Sequence, residues 1–256
     1  MKLKKSLYLA AALLPLVLTS CDSSDNGVEV TKEQWETAFS AETFENYTAV
    51  VYSSSEQSIS IAGVNQTTQT TTKGTQTLKV DGNEFDANIE LETPLPIDSS
   101  TTADQITYSA RYNAENALIL SVTAYLDEKE VLTRSNEITS SSVTSYLFDY
   151  EMYAPYYDML SYDKGAYSCN LSGNDIAEIP EIKDMLDSLA GTATIDLSGL
   201  NFSLKTVISE DMKPASLDQN VTGTIAASVM GITTNISINS VSSTTFSNFG
   251  TTVLED

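Results

Sequence analysis

The stretch Ile106-Thr107-Tyr108-Ser109-Ala110-Arg111-Tyr112-Asn113-Ala114-Glu115-Asn116-Ala117-Leu118-Ile119-Leu120-Ser121-Val122-Thr123-Ala124-Tyr125-Leu126 decides the fold. Ile106, Tyr108, Ala110 and Tyr112 alternate with Thr, Ser and Arg, residues 113–116 supply turn residues, and Leu118, Leu120, Val122, Ala124 and Leu126 resume the spacing. A period of two places one set of side chains on one face of a strand. The stretch therefore predicts an antiparallel hairpin with one apolar face.

The same period extends in both directions. Ile59 and Ile61 alternate with serines, Leu78 and Val80 with Thr77 and Lys79, and Ile89 and Leu91 with Glu90 and Glu92. Asp81-Gly82-Asn83 lies between the last two runs as a turn signal. Residues 67–77 are rich in Thr and Gln, and the strand propensity of Thr makes them a polar-faced strand. Pro94 and Pro96 predict a loop reaching about Asp104. Asp127-Glu128-Lys129-Glu130 reads as an exposed turn, with a returning strand over residues 131–138. Phe202, Leu204 and Ile208 mark one later strand. Val221, Ile225, Ala227 and Val229 mark another, which pairs across Met230-Gly231 with a strand carrying Ile236 and Ile238.

Three segments have a helical period instead. Thr31 caps a helix with Gln34 three residues on, and Trp35, Ala38 and Phe39 form its apolar stripe, so Trp35 pins it to the core. Residues 141–163 carry Tyr146, Tyr150, Tyr153, Tyr156, Tyr157 and Tyr162, at spacings that fit a helix with Pro155 as a kink or break. Residues 176–189 form a further helix with Ile179, Ile182, Leu186 and Leu189 on one face. The layout is α+β: an antiparallel sheet with one solvated side and helices covering its apolar face.

Composition narrows function. The chain of 256 residues holds 13 basic and 35 acidic residues and no His, for a formal charge of −22. Such a surface repels nucleic acid and anionic headgroups. Without His there is no Ser-His-Asp or Cys-His arrangement, no His-ligated zinc and no usual neutral-pH base. No phosphate loop, zinc spacing or nucleophile elbow is present, so the chain reads as a non-enzyme without cofactor or metal. Carboxylate-only chemistry survives this filter. The pairs Glu90/Glu92 and Glu178/Glu181, however, read as solvated surface among 35 acids. Residues 81–86 read as a hairpin turn: Phe85 and Ala87 stand where a calcium loop wants a ligand and a glycine. Cys169 reads as a small buried hydrophobe.

The N-terminus carries Lys2, Lys4 and Lys5, an apolar run over residues 7–18, and then Leu18-Thr19-Ser20-Cys21. The run is too short to span a bilayer, which takes roughly 20 residues. This is the order of a secretory signal. Leu18-Thr19-Ser20-Cys21 resembles a bacterial lipobox. That resemblance implies cleavage before Cys21 and acylation of Cys21, which would anchor the domain to the membrane at its extracytoplasmic side. Two or more acyl chains give stable anchoring. Residues 1–20 are then a signal peptide, 21–30 a flexible tether and 31–256 a single domain.

Val30-Thr31-Lys32-Glu33-Gln34-Trp35, Ser161-Tyr162-Asp163-Lys164-Gly165-Ala166-Tyr167 and Thr245-Phe246-Ser247-Asn248-Phe249-Gly250-Thr251-Thr252 resemble segments of uncharacterised lipoproteins of gut Firmicutes. More distantly, the layout is similar to the LolA/LppX-type carriers. That resemblance implies a curved antiparallel half-barrel closed by helices over an apolar groove, and a monomer that handles lipid or lipopeptide. Tyr146, Tyr150, Tyr153 and Tyr157 recur at intervals of four, three and four, one stripe on an unbroken helix. They are the candidates to line such a groove, although helix-to-sheet packing accounts for them equally. The alternative is a surface interaction or adhesin-like module with a fully packed sheet.

Overall fold

The alternating stretches form eleven strands: β1 Asn46–Ile61, β2 Thr67–Asp81, β3 Glu84–Pro96, β4 Thr102–Tyr112, β5 Leu118–Leu126, β6 Lys129–Ile138, β7 Ser161–Asp163, β8 Ala166–Ser172, β9 Ala193–Ile208, β10 Pro214–Val229 and β11 Ile232–Ser247. The structure is a computed structural model and describes residues 27–62, 67–97, 101–143, 146–189, 192–229 and 231–254. The signal segment and Cys21 lie outside the described residues.

All strands join one antiparallel sheet in the order β6-β5-β4-β3-β2-β1-β11-β10-β9-β8-β7. Neighbours in sequence are neighbours in space except β6 and β7, which lie at opposite edges, and at the centre β1 pairs with β11 from Thr48↔Ser247 to Ile61↔Thr234. The sheet is curved and does not close, which makes it a half-barrel. Two-residue turns set the registers of β2 with β3 and of β5 with β6. In the first, Gly82 has φ +60; in the second, Asp127 and Glu128 have φ +50 and +63. Left-handed residues at the first or at both turn positions match the strand twist.

The edges of the sheet are β6 and β7, so residues 139–160 must travel from one edge to the other. They do so as a strap across the concave face. It contains α2, Ser140–Val143, and a 3-10 helix, Glu151–Met159. Helix α1, Lys32–Ala38, follows a capping box in which Thr31 and Gln34 exchange bonds. Helices α3, Gly173–Ala177, and α4, Pro180–Leu189, cover another part of the same face.

The core has two parts. An aromatic cluster lies under the strap and α1, around Trp35, Phe39, Phe44, Tyr47, Phe85 and Tyr153. A smaller aliphatic cluster lies under α3 and α4, around Ile176, Leu197, Leu200, Val221, Ile225 and Ile238. One sheet face is thus buried and the other polar, as the alternation requires.

Three expectations are corrected. The break in residues 141–163 does not fall at Pro155: α2 ends at Val143, and Pro155 lies inside the 3-10 helix. It holds i→i+3 bonds such as Tyr153 N–H to the Tyr150 carbonyl at 3.1 Å. Pro155 lacks the N–H that would donate to the Glu151 carbonyl in an α-helix, and the Tyr153 carbonyl accepts from the Trp35 indole. The stretch 176–189 divides at Glu178 and Ile179, because a helix is disfavoured immediately before a proline and Pro180 opens the next one. Finally, β3 runs on through Pro94 to Pro96. Its pairing with β2 ends at Leu91 and its register with β4 shifts between Glu90 and Leu95. That unpaired, irregular edge is where a strand tolerates proline.

Candidate ligand cavity

The concave face of β1 carries Ala49, Val51, Ser53 and Ser55 in alternate positions, and the β11 residues opposite them are Phe246, Thr244, Ser242 and Ser240. All of these but Phe246 are small or medium-sized side chains, so beyond Phe246 the packing between strap and sheet is incomplete. A cavity of about 480 Å³ remains, within the size range of small-molecule sites. Leu78, Phe85, Ala87, Ile89, Tyr108 and Tyr146 form its apolar wall. Gln76, Gln219, Ser242 and Thr244 form a polar strip along the sheet, and residues 147–149 of the strap complete it.

Two of the four candidate tyrosines lie in this wall. Tyr146, partly open to solvent, stacks against Phe85 at 5.7 Å between ring centroids and lies 6.0 Å from Tyr108. Tyr153 is buried, and its phenol accepts a hydrogen bond from Gln219 Nε2. Burial pushes the Tyr153 phenol pKa well above its ordinary value. Tyr150 and Tyr157 are not among the lining residues. Tyr150 stacks on Phe44 at 5.3 Å with rings 4° from parallel. Tyr157 donates to the Val30 carbonyl at 2.9 Å.

Tyr157 belongs to a different construction. Tyr167 accepts from the Val30 N–H at 2.6 Å and stands 3.0 Å from the Val30 carbonyl, and Tyr162 donates to the Gly27 carbonyl at 2.9 Å. The Val28 N–H donates to the Ile208 carbonyl at 2.9 Å. Residues 27–30 are therefore held against β7, β8 and the end of β9. The expectation of a flexible tether over residues 21–30 rests on the Ser, Asp, Asn and Gly of residues 22–27, a composition that says nothing of tyrosines far later in sequence.

Trp35 is fully buried and contacts Phe39, Tyr157 and Tyr167, so it packs rather than lines the cavity. Cys169 is buried, and burial raises its thiol pKa, which disfavours the thiolate. Glu92 pairs with Lys73 and Glu178 with Lys183, each at 2.7 Å. Asp86 holds Arg111 with both oxygens at 2.7 Å. Among the described residues no group of three or more His, Cys, Asp or Glu is placed to hold a metal ion. Among them, too, no helix is long and apolar enough to cross a membrane.

The polar strip was missed in the sequence. Its signal is a polar residue at an inward position of an apolar alternation: Ser240, Ser242 and Thr244 continue the spacing of Ile236, Ile238 and Phe246.

No family model matches the chain and no curated protein matches it. Among solved structures, it is similar to a DUF1329 family protein from Desulfovibrio piger, at 13% identity and a TM-score of 0.22, over 85% of this chain and 90% of that one. It is also similar to a β-barrel-like protein of domain of unknown function DUF1849 from Brucella abortus, at 7% identity and a TM-score of 0.23, over 76% of this chain and 97% of that one. Values this low carry nothing for the function of this chain.

Proposed function

We propose that this protein is a membrane-anchored, extracytoplasmic lipoprotein that binds or carries a hydrophobic ligand, a lipid or lipopeptide, in the cavity beneath the strap. One observation carries the reading: the strap crosses the concave face yet leaves about 480 Å³ between itself and the sheet. An ordinary core leaves few voids larger than a water. The lipobox at residues 18–21 and the resemblance to the LolA/LppX-type carriers support the anchor and the cargo. The absence of His from the sequence supports a binding role over catalysis. The experiment is uptake of a fluorescent single-chain amphiphile by the purified domain. Saturable, stoichiometric binding is expected, and its absence sinks the proposal. The anchor has its own test: Cys21→Ser is expected to leave the membrane fraction or remain unprocessed, whereas unchanged detergent partitioning refutes it.

The surface-module reading also has an observation. The outer face of β2–β5 carries a polar groove of about 820 Å³ with Lys79, Asn88, Gln105, Arg111 and Tyr125 in its walls. If uptake fails, that groove is a concavity on which to test an extracellular partner.

A further inference from the structure

We infer that the cavity selects an uncharged amphiphile whose hydroxyl- or amide-bearing head lies on the strip Gln76, Gln219, Ser242 and Thr244. This rests on the carrier reading above and concerns which ligand class the cavity takes. The wall is divided. Phe85, Ala87, Ile89, Tyr108 and Tyr146 offer one apolar side on β3, β4 and the strap, and the strip lies on β2, β10 and β11, with Val51 of β1 and Leu217 of β10 interspersed with it. Gln219 Nε2 is already paired with the Tyr153 phenol, whereas a hydrocarbon would add no polar partner to Gln76, Ser242 and Thr244, and polar groups shut away from water favour one. Gln219, Ser242 and Thr244 are all buried. One pleat beyond Ser242, about 7 Å along β11, the hydroxyls of Ser240 and its cross-strand partner Ser55 are buried without a hydrogen-bond partner among the described residues. The polar face thus continues inward with unfilled hydrogen-bonding capacity.

The charge of the head follows from the same residues. No Lys or Arg is in the cavity wall, and its one charged side chain is Asp149. An anionic head, such as a carboxylate or phosphodiester, finds no counter-ion on the strip, and a buried unpaired charge is costly. The overall charge of −22 adds repulsion. A cationic head is drawn to Asp149, but Asp149 sits on the exposed strap, where attraction to a solvated carboxylate is weak. Hydroxyl and amide side chains offer both donors and acceptors, the complement of a glycerol, sugar or amide head.

The test uses three probes with one shared pyrene-labelled chain, a monoacylglycerol, a free fatty acid and a primary alkylamine, at pH 8. The monoacylglycerol is expected to bind about tenfold more tightly than either charged probe, a ratio of the order of one lost hydrogen bond to a buried group. The double variant Ser242→Ala with Thr244→Val, checked for an unchanged urea midpoint, is expected to weaken monoacylglycerol binding about tenfold and to leave both charged probes near their parent affinities. Equal affinity for all three probes overturns the selectivity and leaves the carrier reading standing. So does tighter binding of the fatty acid or the amine. A monoacylglycerol preference that survives in a folded double variant overturns the assignment to the strip. If none of the three binds, the carrier reading falls and takes this inference with it.

Discussion

The indole Nε1–H of Trp35 donates to the backbone carbonyl of Tyr153 at 3.1 Å, across 118 residues of sequence. This bond ties α1 to the middle of the strap, and it sits in a fully buried position. Replacing Trp35 by Phe keeps most of the ring and removes the donor. The stranded carbonyl is expected to cost about 1–3 kcal/mol. Trp35→Ala also empties the ring site, and such truncations cost about 3–5 kcal/mol. Urea unfolding followed by circular dichroism checks both, because Trp35 is the only tryptophan and the variants lose the fluorophore. Equal stability of Trp35→Phe and the parent would show that the bond contributes nothing.

The turn Asp127-Glu128 is a place where the chain holds two ordinary residues in the left-handed region, at φ +50 and +63. Leu126 and Lys129 pair directly across it, so the backbone cannot relax without shifting β6. Asn-Gly is the pair that this turn favours. Changing Asp127→Asn together with Glu128→Gly is expected to stabilise the fold by about 0.5–1 kcal/mol. A lower melting temperature for the double variant would contradict it.

The sheet was legible because strands with one buried face repeat every two residues, and short turns carry Gly, Asn and Asp. Ile106 to Leu126 and the pairing of β10 with β11 follow from that local pattern alone. The strap was not legible in the same way. Its path is set by the need to join β6 to β7 across the concave face, a consequence of the central pairing of β1 with β11 that leaves those two strands at opposite edges, which no local spacing reports. The tyrosines at 146, 150, 153 and 157 have helical intervals, but the backbone is partly irregular and partly 3-10, so they point to different neighbours. The cavity was legible only as apolar surface. Its polar strip consists of single Ser, Thr and Gln residues that look like surface until the inward face of each strand is known.

Burial pushes the phenols of Tyr47 and Tyr153 well above their ordinary values. In the unfolded chain both ionise near pH 10, while in the fold both stay protonated to higher pH. The unfolded state then binds fewer protons, so stability falls as pH rises. The contribution is fully present below pH 10 and is lost above it, at about 1.4 kcal/mol per pH unit for each such tyrosine. Urea midpoints from pH 8 to 11 are expected to be level and then to fall, and the fall is expected to be shallower in Tyr47→Phe. Phenolate absorbance should show Tyr47 and Tyr153 titrating above the ordinary tyrosine range. Midpoints that stay level to pH 11 would refute this.

Tyr146 and Tyr150 separate ligand binding from stability. Tyr146 is partly open to solvent and forms cavity wall through its stack on Phe85. Truncating it removes apolar contact from a ligand while leaving little buried volume empty, so Tyr146→Ala is expected to weaken amphiphile uptake several-fold and to cost about 1 kcal/mol or less in stability. Tyr150 stacks flat on Phe44, which itself packs on Tyr47, Phe148 and Phe246. Tyr150→Ala is expected to cost about 2–3 kcal/mol, because the aromatic pair and its packing are both lost. The affinity of the folded fraction should stay near the parent value. Uptake titrations at a temperature where both variants are folded, paired with urea midpoints, compare the two directly. If Tyr150→Ala impairs uptake as much as Tyr146→Ala at full folding, the ligand does not sit in the cavity bounded by Phe85, Tyr108 and Tyr146.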